Sequence, residues 1–230
     1  MYKPQLLFLL FLAPTLHGLD VRITGKEAGV DVKNEYNRTY NQCWTFSGFG
    51  ALTLNDRYTL KTGLALWETT VAWETDAFVS ASAALPLPIP FPVYADFAYM
   101  LNAMPDYETS SHTLLPALGV RGKYAGFALG LRARFSVFYD DPPIFEPILA
   151  FSGYVNFFNS EPFRLGLGCA NYDDFIAGNF GSYYFNLNSK IRLLKFLFLV
   201  NGLDLYQTGS VGLAANLYGL AFNMGVVFNW

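Results

Sequence analysis

Apolar residues recur at every second position along most of this chain, the period of a β-strand with two unlike faces. The C-terminal stretch shows it most plainly. Leu220, Phe222, Met224, Val226, Phe228 and Trp230 are all apolar, while Ala221, Asn223, Gly225, Val227 and Asn229 between them are small or polar apart from one valine. A second segment puts Phe127, Leu129, Leu131, Ala133, Phe135, Val137 and Tyr139 on one face. Its other face carries Ala128, Gly130, Arg132, Arg134, Ser136 and Phe138. The same rule predicts twelve strands, near residues 26–37, 42–54, 57–70, 76–87, 91–103, 112–123, 126–139, 144–158, 162–172, 178–189, 193–206 and 217–230. Parity breaks in the tenth and eleventh, at Tyr183-Tyr184-Phe185 and Leu193-Leu194. Pro116 and Pro147 also fall inside strands, where each removes a ladder hydrogen bond. Bulges and earlier strand ends are the two readings of these positions.

Composition turns the alternation into a membrane argument. The 230 residues are 53% hydrophobic and 18% aromatic, with only 14% charged, against roughly 25% charged in an ordinary soluble domain. A net charge of −3 excludes a generally basic nucleic-acid binder, and the apolar content excludes a disordered chain. Beyond the N-terminus no stretch reads as a spanning helix. Leu193 to Val200 is short and contains Lys195, and Ala83 to Ala95 carries Pro86, Pro88, Pro90 and Pro92. Open sheet edges cannot face lipid, so the remaining spanning architecture is a closed antiparallel β-barrel, all-β in class. Tilted strands of about 10 residues cross its apolar band.

The chain opens with Lys3, the apolar run Leu6 to Ala13, then Pro14 and small residues, the pattern of a secretory signal cut after Gly18. Residues 1–18 are therefore expected to be a cleaved signal peptide and 19–230 the barrel. Connections alternate between tight ones (Asn55-Asp56, Leu87 to Pro90, Tyr124-Ala125, Asn159 to Glu161, Lys190 to Arg192) and longer ones such as Thr69 to Thr75, Met104 to Ser111 and Gln207 to Asn216. Charge sorts with them. Acids such as Glu74, Asp76, Asp140, Asp141, Asp173 and Asp174 fall in or beside the long set, whereas Arg57, Lys61, Arg121, Lys123, Arg164, Lys190, Arg192 and Lys195 sit at the other end. Short turns face the periplasm in bacterial barrels, so both termini are expected there, which requires an even strand number. Twelve strands fit; eight or ten, with long extramembrane hairpins, are the alternatives.

With a signal segment and a last strand alternating to Phe228 and Trp230, the sequence resembles the small single-chain bacterial outer-membrane β-barrels. By size, OmpW-like barrels and twelve-stranded acidic-sugar channels are the nearest look-alikes. The resemblance implies an outer-membrane location among outer-membrane lipid, and assembly by the barrel-assembly machinery, which would read Phe228 and Trp230 as its signal. It covers architecture and carries no functional residue across.

Candidate chemistry is sparse. His112 is the one histidine beyond the signal. A lipid-directed barrel enzyme would rest on it alone, and a solvated loop position is the plainer expectation, so no catalytic residue is assigned. No His/Cys cluster has metal-ligand spacing and no glycine-rich phosphate loop precedes a helix, so no metal or cofactor is expected. Cys43 and Cys169 fall on near-opposite walls and are read as unpaired. The lumen says more. Arg121, Lys123, Arg132, Arg134 and Arg164 lie opposite the apolar faces of strands six, seven and nine, and mid-bilayer arginine facing lipid costs roughly 2–4 kcal/mol. They are expected inside, either as a track that attracts anions or paired with the few inward acids, Asp96 and Asp204, in a network that plugs the barrel; small inward Gly126, Ala128, Gly130, Gly166, Gly168 and Ala170 leave space and favour an opening. Two functions follow. One is a narrow passive channel for small solutes, a porin with mild anion preference along that basic track. The other is a closed surface barrel whose acidic loops bind a host or cell-surface partner.

Overall fold

The computed structural model describes residues 21–37, 41–68, 73–105, 108–138, 142–172, 182–208 and 216–230. The expected signal segment lies outside them. Twelve strands form among the described residues: β1 (Ile23–Asn37), β2 (Asn41–Leu54), β3 (Tyr58–Glu68), β4 (Trp73–Leu85), β5 (Val93–Met104), β6 (Thr109–Arg121), β7 (Ala125–Val137), β8 (Ile144–Asn159), β9 (Phe163–Ala170), β10 (Ser182–Leu194), β11 (Leu197–Thr208) and β12 (Asn216–Asn229). Each pairs antiparallel with its sequence neighbours, and β1 pairs with β12 to close the barrel. Closure leaves no edge, so lipid meets no unsatisfied ladder. At the seam Glu27 stands opposite Asn229, with reciprocal bonds of 3.2 and 3.1 Å between the Lys26 and Trp230 backbones. The start of β1 and the end of β12 therefore lie at the end that carries the short turns.

The dyad pattern sorts side chains as expected. On β7, Ala128, Arg132 and Ser136 are buried inward, while Phe127, Leu129, Leu131 and Phe135 are exposed outward. On β12, Leu220, Phe222, Met224 and Phe228 face out, while Ala221 and Val227 are buried. The turn at Asn55-Asp56 has φ of 53° at both residues, and Arg57 N–H donates to the Leu54 carbonyl at 3.0 Å. That left-handed pair suits the right-handed twist of a hairpin.

Several strand ends differ from expectation. β10 continues to Leu194 and turns at Lys195-Phe196, not at Lys190 to Arg192, because the parity break is a register shift between Arg192 and Leu194. The other break is no irregularity. Tyr184 faces in, and Tyr183 packs edge-on against Phe185 with centroids 5.7 Å apart, so aromatic residues simply occupy both faces. Pro116 and Pro147 stay within β6 and β8. Pairing of β6 with β7 skips Leu115 and Pro116, while Pro116 still sits opposite Phe97 of β5. The missing donor thus falls on the β7 side. Gly130 lets the strands close there, since a Cβ would come within 2.5 Å of the Pro116 carbonyl.

The interior is divided. From β4 to β8, inward Phe78, Met100, Leu115 and Ala150 form an apolar cluster, with Phe49, Ala98 and Tyr172 against it. Lys61 caps it, its ammonium 4.4 Å from the Phe49 ring centroid and 5.3 Å from that of Phe78. Burying each large side chain here contributes about 1.5–3 kcal/mol. The sequence reading did not anticipate an apolar lumen wall. The opposite half, β8 through β12 to β3, is polar and partly empty.

The Pro-rich β4–β5 connection, Pro86 to Pro92, sits at the short-turn end. Leu87 N–H donates to the Leu85 carbonyl and Ile89 N–H to the Leu87 carbonyl, both at 2.9 Å, so the donors left by the prolines are partly satisfied within the segment. Leu87, Ile89 and Phe91 are exposed.

Candidate functional site

The polar half of the lumen holds a cavity of about 420 Å³. Strand alternation supplies its walls. β10 projects Tyr184, Asn186 and Asn188, β8 projects Ser152 and Tyr154, and β1, β2, β3, β11 and β12 contribute Asp31, Lys33, Thr45, Ser47, Trp67, Asp204 and Asn223. Gly168 on β9 contributes no side chain, which is why room remains beside Asn186.

Hydrogen bonds fix one wall as a chain. Asn188 Nδ2 donates to Asn186 Oδ1 at 2.8 Å, and Asn186 Nδ2 donates to Asp204. Asp204 lies 3.6 Å from the Lys33 ammonium, which also lies 3.8 Å from Glu35 and donates to the Tyr206 hydroxyl. Tyr184 donates to the Tyr172 carbonyl at 3.0 Å and Tyr154 to the Gly122 carbonyl at 2.8 Å, so both rings are held in place. Asn223 and Ser47 make no hydrogen bond among the described residues, and the buried Thr45 hydroxyl likewise has no partner.

The five basic residues expected to form a track are not placed together, and none of them lines this cavity. Arg121 faces in at the short-turn end, where Nη2 pairs with Asp96 at 2.6 Å and Nη1 donates to Ser82 at 2.8 Å. Lys123 is corrected: it lies exposed in the turn between β6 and β7 because β6 ends at Arg121. Arg164 faces the same mouth, exposed, with no ion pair among the described residues. Arg132 is 1% exposed and its Nη1 donates to the Asn171 carbonyl at 3.2 Å. Arg134 stands opposite Glu146 in the β7–β8 register. The expectation of few inward acids is also corrected. Glu27, Asp31, Glu35, Glu74, Asp76 and Glu146 share the inward parity of β1, β4 and β8; Glu74 joins them because β4 begins at Trp73, and the others already lay within the expected strands. Asp76 is fully buried and accepts from Asn102 Nδ2 at 2.8 Å. Of the small inward residues, Gly126 is no void, since the Tyr154 ring already lies where its Cβ would be.

Solved structures place this arrangement. The NanC porin matches with a TM-score of 0.60 at 12% identity, over 86% of this chain and 98% of its own. The KdgM porin, in complex with disordered oligogalacturonate, matches with a TM-score of 0.56 at 9% identity, over 87% and 98%. The chain shares the closed-barrel fold of these two porins. A weaker likeness is the calcium-bound dimer of the Salmonella typhi outer membrane phospholipase, at TM-score 0.50, 9% identity and coverage of 92% and 93%. No family model matches, and no curated protein matches.

Within this porin-like barrel His112 is not a loop residue. It lies in β6 because that strand begins at Thr109, and it faces out, with Nδ1 2.8 Å from the Tyr99 hydroxyl. Ser111 points the other way, into the lumen, where it donates to Asn102 Oδ1 at 3.3 Å. Cys43 is buried inward on β2 and Cys169 lies on the outward parity of β9; both are free thiols.

Proposed function

We propose that this chain is a narrow passive channel of the bacterial outer membrane for small solutes, with a mild preference for anions. The observation that carries the reading is the polar cavity of about 420 Å³ inside a closed barrel, walled by amides, hydroxyls and phenols where a packed core would be apolar. Transport needs no catalytic group, cofactor or metal; the lumen acts by shape and field alone. Anion preference is assigned to the short-turn mouth. Arg164, Lys123 and Lys195 there make no ion pair among the described residues, whereas Arg121, Arg192 and Lys190 are matched by Asp96, Glu161 and Glu27. Arg132, buried against the Asn171 carbonyl, and Arg134, opposite Glu146, lie deeper and serve the wall. The short-turn end is taken as periplasmic, with both termini there, and Phe228 and Trp230 are taken as the strand read by the barrel-assembly machinery.

The test is the reversal potential of the refolded mature chain in a planar bilayer under a salt gradient. A steady conductance with anion preference is expected, moving toward cations in Arg164→Glu with Lys123→Glu. The apolar cluster of Phe78, Met100 and Leu115 favours a second reading, a closed barrel that presents its loops to a surface partner. Electrical silence from folded protein would select it.

A further inference from the structure

We infer that the lumen cavity is a binding site for uncharged, polyhydroxylated solutes of about hexose size. This deepens the channel reading, on which it rests only for the solute's passage through the barrel. Its volume, about 420 Å³, falls within the roughly 300–1,000 Å³ of small-molecule sites.

The lining decides the chemical class. A sugar hydroxyl is donor and acceptor at once, so its site must offer both. Asn223 keeps an amide N–H₂ and a carbonyl, and Ser47 keeps a hydroxyl, with no hydrogen bond to other described residues. Thr45 is 5% exposed, and its hydroxyl is buried without a partner in the same wall. These three groups come from β12 and β2. Across the cavity, Asn188 and Asn186 are held in a fixed row that ends on Asp204, so their positions are set before any solute arrives. Trp67, Tyr154 and Tyr184 add ring surface for the C–H faces of a pyranose.

Charge excludes the other classes. Asp31 and Asp204 face the cavity against a single cation, Lys33, and that cation is already held by Asp204 at 3.6 Å and by Glu35 at 3.8 Å. An anion entering here meets carboxyls, not arginines. A cation would have to share Asp31 and Asp204 with Lys33, whose ammonium already lies 3.6 Å from Asp204. The site therefore differs in chemistry from the basic mouth, and the two act at different depths: one on ion preference, the other on retention.

The reporter is already in place. Of the four tryptophans, Trp67 alone faces the lumen, since Trp44, Trp73 and Trp230 are exposed on the outer surface. Refolded full-length chain in detergent micelles is titrated with D-glucose and D-glucuronate while tryptophan fluorescence is followed. D-glucose should give a saturable change, half-complete at about 1–10 mM, weak enough for a channel to release its solute. D-glucuronate should need at least tenfold more, and Trp67→Phe should remove the signal. Asn223→Leu should raise the D-glucose midpoint at least tenfold. So should Gly168→Leu, where a Cβ meets nothing nearer than 3.4 Å and so intrudes on the cavity rather than on the backbone.

Equal or tighter binding of D-glucuronate would overturn the assignment, as would no saturable response to D-glucose. Unchanged midpoints in folded Asn223→Leu and Gly168→Leu would do the same. If either variant fails to fold, the preference of the unaltered chain between the two sugars still decides. Conductance in a planar bilayer separates the two readings. A channel that conducts without binding D-glucose keeps the channel and loses the site; binding without conductance does the reverse.

Discussion

Lys33 on β1 reaches Asp204 on β11 across the whole width of β12, with 3.6 Å between ammonium and carboxylate. The strand between them permits it because Ala221, opposite both Glu35 and Asp204 in the register, projects only a methyl group. The Lys33 side chain is 11% exposed and that of Asp204 7%, so neither charge is well solvated. Lys33→Met leaves Asp204 and Glu35 facing each other and should cost about 3–5 kcal/mol of stability, as measured by urea unfolding in lipid. Adding Asp204→Asn should recover much of that loss; strictly additive costs would show that the pair is not coupled.

Arg132 and Arg164 should behave oppositely despite equal charge. Arg132→Met removes a buried guanidinium from the Asn171 carbonyl and should destabilise the barrel by about 3 kcal/mol. Arg164→Met, at the exposed mouth, should change stability by less than about 0.5 kcal/mol and should weaken anion preference. Unfolding midpoints for both and a reversal potential for Arg164→Met check the pair.

Two glycines separate a close approach from an idle position. A Cβ at Gly225 would lie 2.5 Å from the Val30 carbonyl and 3.0 Å from Asp31 Cα, backbone atoms of the closing strand. Gly225→Ala must therefore spread the β1–β12 seam, and about 1–3 kcal/mol of destabilisation is expected, with slower appearance of the heat-modifiable folded band on gels. Gly50 has nothing within 4 Å, so Gly50→Ala should be neutral or should stabilise by about 0.5–1 kcal/mol.

The Pro86 to Pro92 connection should rest in the membrane interface. Its prolines remove donors, two of the remaining N–H groups are satisfied locally, and Leu87, Ile89 and Phe91 are exposed at one end of the barrel. In a chain whose four native tryptophans are changed to Phe, Phe91→Trp should be quenched by brominated lipid more strongly than by acrylamide. The reverse ranking would place the segment in water.

Strand number, strand order and the lipid-facing set were legible in the sequence, because a two-residue period admits one inward and one outward face and a slip of one residue would turn every apolar side chain to the wrong one. The Asn55-Asp56 turn was legible for the same local reason. Ends were less so: Lys190 to Arg192 reads as a turn until the register shift between Arg192 and Leu194 is seen.

What only the tertiary structure decided is how the lumen is filled. Alternation says that Arg132 and Arg134 point inward, but not that a curved wall brings acids and bases of different strands together. Nor does it say that Phe78, Met100 and Leu115 close one half while Gly168, Asn186 and Asn223 leave the other open. Facing lipid is a property of one residue and its parity. Lining a cavity belongs to residues far apart in the chain, whose meeting depends on barrel closure and on which neighbours are small enough to be reached across.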